Sequence, residues 1–189
     1  MDADIRRETL GALQPGENEL LLRMPFGPGT NVEWCYLLGD FGVRLQGDRG
    51  AVTALPETVA FGDLTRQGFP FYGGNLEYVC AVETGAGTVE IEIPEYYAAL
   101  LHVELDGQSA DVFAQPYAAC FRNVAAGRHT LRILAYGTRI NTFGQVHNCN
   151  RKEEYFGPKS WRTTGKNWTY LYQLRPTGVT LTPILRLGT

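Results

Sequence analysis

Apolar and polar residues alternate with a period of two in most segments of this chain that show a clear pattern. Between Thr88 and Ile93, apolar residues take every second position, and Glu90 and Glu92 lie between them. The segments 101–105 and 129–136 show the same alternation. Because successive side chains of a strand point to opposite faces of a sheet, this pattern predicts strands with one buried face and one face in water.

Short turn sequences separate the predicted strands. Asp106 and Gly107 lie between two alternating segments and suit a type I′ hairpin, because both central residues of that turn need a positive φ. Three further Pro- or Gly-containing turns precede other segments, at 14–16, 126–128 and 175–178. Strands are therefore also expected at 19–24 and 179–187.

Only two short segments favour helical turns, 3–13 and 94–100, and the second is interpreted as a turn with one helical loop. With 22 Gly and 10 Pro among 189 residues, the chain is predicted to be all-β, a two-layer antiparallel β-sandwich of the jelly-roll type. The expected organisation is a lead-in segment over 1–15 and a single sandwich domain over 16–189.

Charge and hydropathy exclude several classes of partner. The formal net charge is -3 and no basic run occurs, so nucleic acid is not an expected partner. No apolar run approaches the roughly 18 residues of a membrane-spanning helix, so no membrane partner is expected. The N-terminal residues lack the pattern of a signal peptide, and the compartment is left open.

The cysteines do not form a metal-binding pattern. They lack C-x-x-C spacing and paired histidines, which argues against a zinc site. Cys80 and Cys120 lie in apolar, strand-like segments, so they are predicted to be buried free thiols.

No catalytic residue is predicted. Glycoside hydrolysis needs two carboxylates that flank a sugar, but Glu90, Glu92 and Glu104 alternate outward and are expected to form a solvated face. A G-x-S-x-G nucleophile motif is absent, and no Gly-rich phosphate loop occurs.

The segment 137–168 is the longest one without a strand pattern. Long irregular loops in compact domains are usually functional or disordered, and the aromatic content of this one argues against disorder. Aromatic faces stack on sugar rings and amides bind hydroxyl groups. The candidate carbohydrate-binding residues are Trp161, Trp168, Arg162, Asn141, His147, Asn148 and Tyr155. For Asn141 and His147, the alternative to ligand contact is that they hydrogen-bond backbone groups and lock the loop. For the tryptophans, the alternative to a carbohydrate platform is burial at the sandwich end or against a neighbouring domain.

Three segments resemble a known family: Gly68–Gly74 (GFPFYGG), 99–136, and Arg139–Asn148 (RINTFGQVHN). They are similar to galactose-binding-like β-sandwich modules of large multidomain bacterial glycoside hydrolases, in particular α-L-rhamnosidase-like enzymes. Those modules carry a G-x-N/H-x-L-x-I strand followed by an N-x-F/L-G-x-x-H loop. Asn141, Gly144 and His147 match that loop, and His129 replaces the more usual Asn. The segment 35–43 also resembles a strand pair of those proteins.

The resemblance implies a non-catalytic accessory module, which packs on the catalytic domain of the same polypeptide and contacts carbohydrate. An autonomous carbohydrate-binding module and a small metal-dependent jelly-roll enzyme are the alternatives. Modules of this family often carry a structural calcium. Asp40, Asp48 and Asp63 form no D-x-D-x-D cluster, however, so neither a metal site nor a cofactor is predicted.

Overall fold

The computed structural model describes residues 7–30, 35–150, 152, 157–161 and 163–188. The chain divides into two compact units, Met1–Leu38 and Gly39–Thr189. Within the described residues, the strands are β1 (Gly42–Gln46), β2 (Arg49–Thr53), β3 (Leu76–Thr84), β4 (Gly87–Glu92), β5 (Tyr96–Tyr97), β6 (Leu100–Leu105), β7 (Gln108–Val112), β8 (Ala118–Val124), β9 (Gly127–Tyr136), β10 (Gly178–Val179) and β11 (Ile184–Gly188). The expected domain boundary at residue 16 stays a prediction.

The described part of the first unit, 7–30 and 35–38, contains neither helix nor strand. The Asn18 side chain accepts a hydrogen bond from the Gln14 amide and donates one to the Gln14 carbonyl, which closes a loop. The prediction of a strand at 19–24 is therefore wrong. Three leucines follow one another at 20–22 without alternation, and the described residues of this unit offer no ladder for their backbone groups.

Two further expectations near the N-terminus also differ from the structure. Residues 7–13 form no helix, and the rest of the expected helical turn, 3–6, lies outside the described residues. The expected strand pair at 35–43 reduces to Gly42 and Val43, which begin β1. The β1 strand pairs with β2 as a separate antiparallel hairpin.

Two antiparallel sheets form the body of the second unit. One has the strand order β3-β9-β6-β7, and the other has the order β11-β4-β8. Their inward side chains share one apolar cluster, whose buried members include Ile91 of β4, Val103 of β6 and Phe121 of β8. Since residues of both sheets meet in this cluster, the predicted two-layer antiparallel sandwich is confirmed.

The chain passes from one sheet to the other between β3 and β4, between β7 and β8, and between β8 and β9. This alternation is typical of jelly rolls. The hairpin of β6 and β7 stays within one sheet, and its turn residues Asp106 and Gly107 have φ values of 46° and 83°. Leu105 pairs with Gln108 across the turn, so the predicted type I′ hairpin is confirmed.

His129, at the start of β9, ties this hairpin to the sheet. Its Nδ1 bonds the Asp106 carboxylate, and its Nε2 lies 2.9 Å from the Ala125 carbonyl oxygen. Both partners accept, so this arrangement favours the protonated ring, in which both nitrogens donate. The bond to Asp106 raises the pKa of His129 and lowers the pKa of Asp106. His129 and Asp106 therefore clamp the hairpin to the start of β9.

Two segments take strand structure where the sequence indicated otherwise. Tyr96 and Tyr97 form β5 within the segment 94–100, which was expected to be a turn. They pair with Gly178 and Val179 of β10. The strand expected over 179–187 is divided into β10 and β11, and Pro183 precedes β11 at the break, because proline cannot donate to a ladder.

Cys80 and Cys120 were both predicted to be buried, and for Cys120 this prediction is wrong. The alternation of β8 turns Ala119 and Phe121 inward and leaves Cys120 exposed on the outer face, opposite Glu90. Cys80 is partly buried, and this burial raises its pKa. All four cysteines are free thiols.

Candidate functional site

The residues between β9 and β10 that the structure describes contain little regular structure, as the sequence predicted. They include one turn of α-helix, α1 (Ile140–Phe143), and a short 3₁₀ helix over Pro158–Trp161. An isolated antiparallel bridge pairs Asn148 with Trp168. The described part of this segment is therefore held by side-chain contacts and by short backbone pairing, and not by an extended ladder.

Contacts with the Gly68–Gly74 motif hold the start of this segment on the sandwich. The Thr142 hydroxyl donates to the Phe71 carbonyl at 2.7 Å. A Cβ atom on Gly137 would lie 2.0 Å from the Gly74 carbonyl oxygen, so only glycine permits this approach. Two of the motif segments that carry the family resemblance thus pack on each other.

Asn141 locks the segment from inside. Its side chain is 3% exposed. The Nδ2 atom donates to the Arg175 carbonyl at 2.8 Å, and Oδ1 accepts from the Arg175 amide at 2.9 Å. Of the two roles considered from the sequence, this geometry shows the locking role for Asn141.

The Asn141–Arg175 contact is one tie that closes the segment. A second tie is the backbone pairing of residues 146–149 with 167–173, and His147 helps to lock it. The amide of Thr169 donates to the His147 carbonyl at 3.0 Å, and the amide of Gln173 donates to the Val146 carbonyl at 2.6 Å. His147 Nδ1 lies 3.1 Å from the Thr169 carbonyl oxygen. Because that oxygen only accepts, Nδ1 carries the ring proton.

Five rings form a continuous chain of contacts, here called the aromatic row: Phe71, Tyr172, His147, Trp168 and Tyr170. Successive ring centroids lie 5.2, 4.8, 6.2 and 4.2 Å apart. The row begins at Phe71 in the Gly68–Gly74 motif and ends at Tyr170, which is 71% exposed. Trp168 is partly buried within the row.

The remaining candidates are placed differently. Trp161 is 42% exposed, and its indole N–H donates to the Phe143 carbonyl at 3.3 Å. The Asn148 side chain accepts a hydrogen bond from the Asn150 amide at 2.9 Å. Arg162 and Tyr155 lie outside the described residues.

A shallow polar depression brings two candidates, Asn141 and Asn148, together with residues that the sequence analysis missed. This amide-lined depression is formed by Ile140, Asn141, Gln145, Val146, Asn148, Asn150, Gln173 and Arg175. Five of these residues carry side-chain amides. The Asn141 amide is engaged with the Arg175 backbone. The amides of Gln145 and Gln173 suit a hydroxyl-rich ligand, because an amide offers both donors and acceptors, as a sugar hydroxyl does.

The missed residues fall into two groups. Gln145 belongs to the RINTFGQVHN motif, and Asn150 follows it closely, so their position in the motif loop was an available signal. Gln173 and Arg175 lie far along the chain and reach the depression only through the two ties described above. No local pattern in the sequence indicates that second group.

The described residues contain no group of three or more His, Cys, Asp or Glu side chains placed to hold a metal ion. Several carboxylates form surface ion pairs instead, such as Glu77 with Arg132 at 3.1 Å and Glu92 with Arg186. Among the helices of the described residues, none has the length and apolar character needed to cross a membrane.

Comparison with known proteins returns no matching family model and no matching curated protein. Among solved structures, the chain is similar to a GH2 β-galacturonidase from Eisenbergiella tayi bound to glycerol, with 16% identity, 77% of this chain and 22% of that chain covered, and a TM-score of 0.39. For the GH2 β-galacturonidase from the same organism bound to galacturonate, the identity is 20%, the coverages are 56% and 18%, and the TM-score is 0.36. The chain thus spans about a fifth of the length of these glycoside hydrolase chains. The likeness to α-L-rhamnosidase-like enzymes stays a prediction.

Proposed function

We propose that this chain is a non-catalytic accessory module of a multidomain glycoside hydrolase. In this proposal it packs on the catalytic domain of the same polypeptide and contacts carbohydrate with the amide-lined depression. Two things support the assignment to such modules. The motif segments 68–74, 99–136 and 139–148 resemble them, and the chain folds as the two-layer sandwich that the resemblance implies.

The amide-lined depression is the observation that carries the carbohydrate contact. Asn141 holds the Arg175 backbone, and Asn148 holds the Asn150 amide, so the wall is formed before any ligand arrives. A preformed site loses less conformational entropy when it binds. Gln145 and Gln173 add side-chain amides that suit the hydroxyl groups of a saccharide.

The arrangement of acidic residues supports binding rather than hydrolysis. A glycosidase site places two carboxylates about 5 to 9.5 Å apart around the scissile bond. Among the described residues that line the depression, none is Asp or Glu. Glu90 and Glu92 lie on the outer face of β4, where Glu92 pairs with Arg186.

The proposal is tested by titrating the ¹⁵N-labelled chain with neutral and acidic mono- and oligosaccharides, followed by NMR. We expect shifts that cluster at the depression. The double variant Gln145→Ala/Gln173→Ala should bind at least about tenfold more weakly, a loss of about 1.4 kcal/mol. Gln46→Ala, at an exposed site on β1, is the matched control and should bind as the wild type does.

Two results would contradict the carbohydrate contact. One is the absence of binding by the wild-type chain to every saccharide at about 10 mM, which leaves at most a very weak interaction. The other is a double variant with wild-type affinity. Elemental analysis of the purified chain tests the metal-dependent enzyme alternative, which requires a stoichiometric metal.

An autonomous carbohydrate-binding module is the second candidate function. It is favoured by one observation: the described residues that line the depression all belong to the unit Gly39–Thr189. Calorimetric unfolding of the parent polypeptide distinguishes the two. A module that packs on its catalytic domain shifts the unfolding temperature of that domain, whereas an autonomous module unfolds independently of it.

A further inference from the structure

We infer that Tyr170 is the platform on which a pyranose ring stacks, and that Trp168 supports this platform instead of contacting the sugar. The inference rests on the proposed carbohydrate contact and names a binding residue for it. The ligand surface involved is the apolar C–H face of the sugar ring. Such faces pack on aromatic rings because both surfaces are apolar and flat.

The rings of Tyr170 and Trp168 differ in how much of their surface is exposed to water. Tyr170 is 71% exposed, whereas Trp168 is partly buried between His147 and Tyr170. The rings of Trp168 and Tyr170 meet edge to face, with centroids 4.2 Å apart and planes inclined by 75°. This contact fixes the tyrosine ring and still leaves most of its surface in water.

The backbone on both sides of Tyr170 is also fixed. The Thr169 amide donates to the His147 carbonyl at 3.0 Å, and the Leu171 amide donates to the Thr169 hydroxyl at 3.2 Å. Through the aromatic row, the ring is connected to Phe71 on the sandwich. A rigid, exposed tyrosine provides a large contact area at a low entropic cost on binding.

Trp161 is the rival platform. It is less exposed than Tyr170, at 42%, and its indole N–H already donates to the Phe143 carbonyl at 3.3 Å. Phe113, between β7 and β8, is as exposed as Tyr170, at 70%, but lies outside the segment 137–177. It therefore serves as the matched control for the loss of an exposed aromatic side chain.

The test compares Tyr170→Ala, Tyr170→Phe, Trp161→Ala and Phe113→Ala in NMR titrations with the saccharide that binds the wild-type chain most tightly. We expect Tyr170→Ala to bind at least about tenfold more weakly. Tyr170→Phe keeps the ring and should stay within about twofold of the wild type. Phe113→Ala should bind unchanged, and the indole N–H resonance of Trp168 should shift when the wild-type chain is titrated.

The outcomes separate this inference from the proposed function. Wild-type affinity in Tyr170→Ala, together with weakened binding in Gln145→Ala/Gln173→Ala, overturns the platform and leaves the carbohydrate contact standing. Weakened binding in Trp161→Ala but not in Tyr170→Ala assigns the platform to the rival and also overturns the inference. A wild-type chain that binds no saccharide overturns both. Urea midpoints equal to that of the wild type, together with wild-type hydrogen exchange in the segment 137–177, show that each result concerns binding and not folding.

Discussion

The sandwich and the segment between β9 and β10 are stabilised in different ways. In the sandwich, side chains such as Ile91, Val103 and Ile133 alternate inward and pack in one apolar cluster. In the segment 137–177, single polar contacts replace that pattern, chiefly the pairing of Asn141 with the Arg175 backbone. The first region tolerates any apolar residue of suitable size, whereas the second depends on particular donors and acceptors.

This difference predicts two kinds of failure. Damage to the apolar cluster lowers the stability of the whole sandwich, because the strands of both sheets share it. Damage to a polar lock opens the segment 137–177 locally and leaves the sandwich folded. The first two predictions below test this contrast, and the third concerns a polar contact within the sandwich itself; they run from the largest expected effect to the smallest.

Ile133→Ala should cause the largest loss of global stability. Ile133 is 0% exposed and pairs with both Tyr78 of β3 and Val103 of β6. Removing a fully buried isoleucine side chain costs about 2–5 kcal/mol in the free energy of unfolding. Urea denaturation followed by circular dichroism measures the change.

Thr130→Ala, on the exposed side of the same strand, is the control for Ile133→Ala. It should change the free energy of unfolding by less than about 0.5 kcal/mol. Equal losses in the two variants would show that β9 is not packed with Ile133 inward and Thr130 outward.

Asn141→Asp should loosen the segment 137–177 without unfolding the sandwich. A carboxylate cannot donate to the Arg175 carbonyl, and this places two acceptors opposite each other in a buried position. The cost is about 1–3 kcal/mol, expressed as local opening. Hydrogen exchange measured by mass spectrometry should show lost protection around residues 141–149 and 169–175, with β3 and β9 still protected.

Asn150→Asp provides the matched control, since the change of atoms is identical. The side chain of Asn150 accepts from the Lys152 amide at 3.3 Å, and a carboxylate accepts equally well. Exchange rates in this variant should equal those of the wild type. Loss of protection in both variants, or in β3 and β9 of Asn141→Asp, would contradict a purely local lock.

His129→Asn should remove a pH-dependent part of the stability. The raised pKa of His129 means that its contribution is complete below the ordinary value of 6.5 and is lost as the pH rises through the raised value. The lowered pKa of Asp106 means that its contribution is complete above 3.8 and is lost as the pH falls through the lowered value. The wild type should therefore exceed the variant most between pH 3.8 and 6.5.

Urea midpoints of the wild type and of His129→Asn at pH 5 and pH 9 measure this dependence. The difference between the two proteins should shrink at the higher pH. Asp106→Asn, which removes the other member of the pair, should reproduce the behaviour of His129→Asn. A difference that is constant with pH would show that the imidazolium does not contribute to the clamp.

The sequence alone determined the strands and the turn whose signals are local. Residues 88–93, 101–105 and 129–136 alternate with a period of two, and each forms a strand with the expected face buried. Asp106-Gly107 forms the expected hairpin turn because positive φ is a property of those two residues themselves. Such signals depend only on the backbone and the immediate neighbours, so a single sequence contains them.

Asn141 and His147 could be identified as important from the motif loop, but their roles could not be assigned. The backbone that Asn141 holds is that of Arg175, 34 residues away. The aromatic row begins at Phe71, which lies before β3, whereas its members Tyr172 and Trp168 follow β9. Only the pairing of the sheets brings these segments together.

Tertiary structure also determined the conformation or the burial of residues for which the sequence pattern gave a wrong prediction. A lone apolar segment such as 20–22 can form a strand only if a partner satisfies its backbone, and the two residues of β5 became a strand because β10 lies beside them. Cys120 lies in an apolar segment, yet the register of β8 turns it outward. Strand periodicity is encoded locally, whereas pairing partners, register and the assembly of a binding surface depend on contacts between residues far apart in the chain.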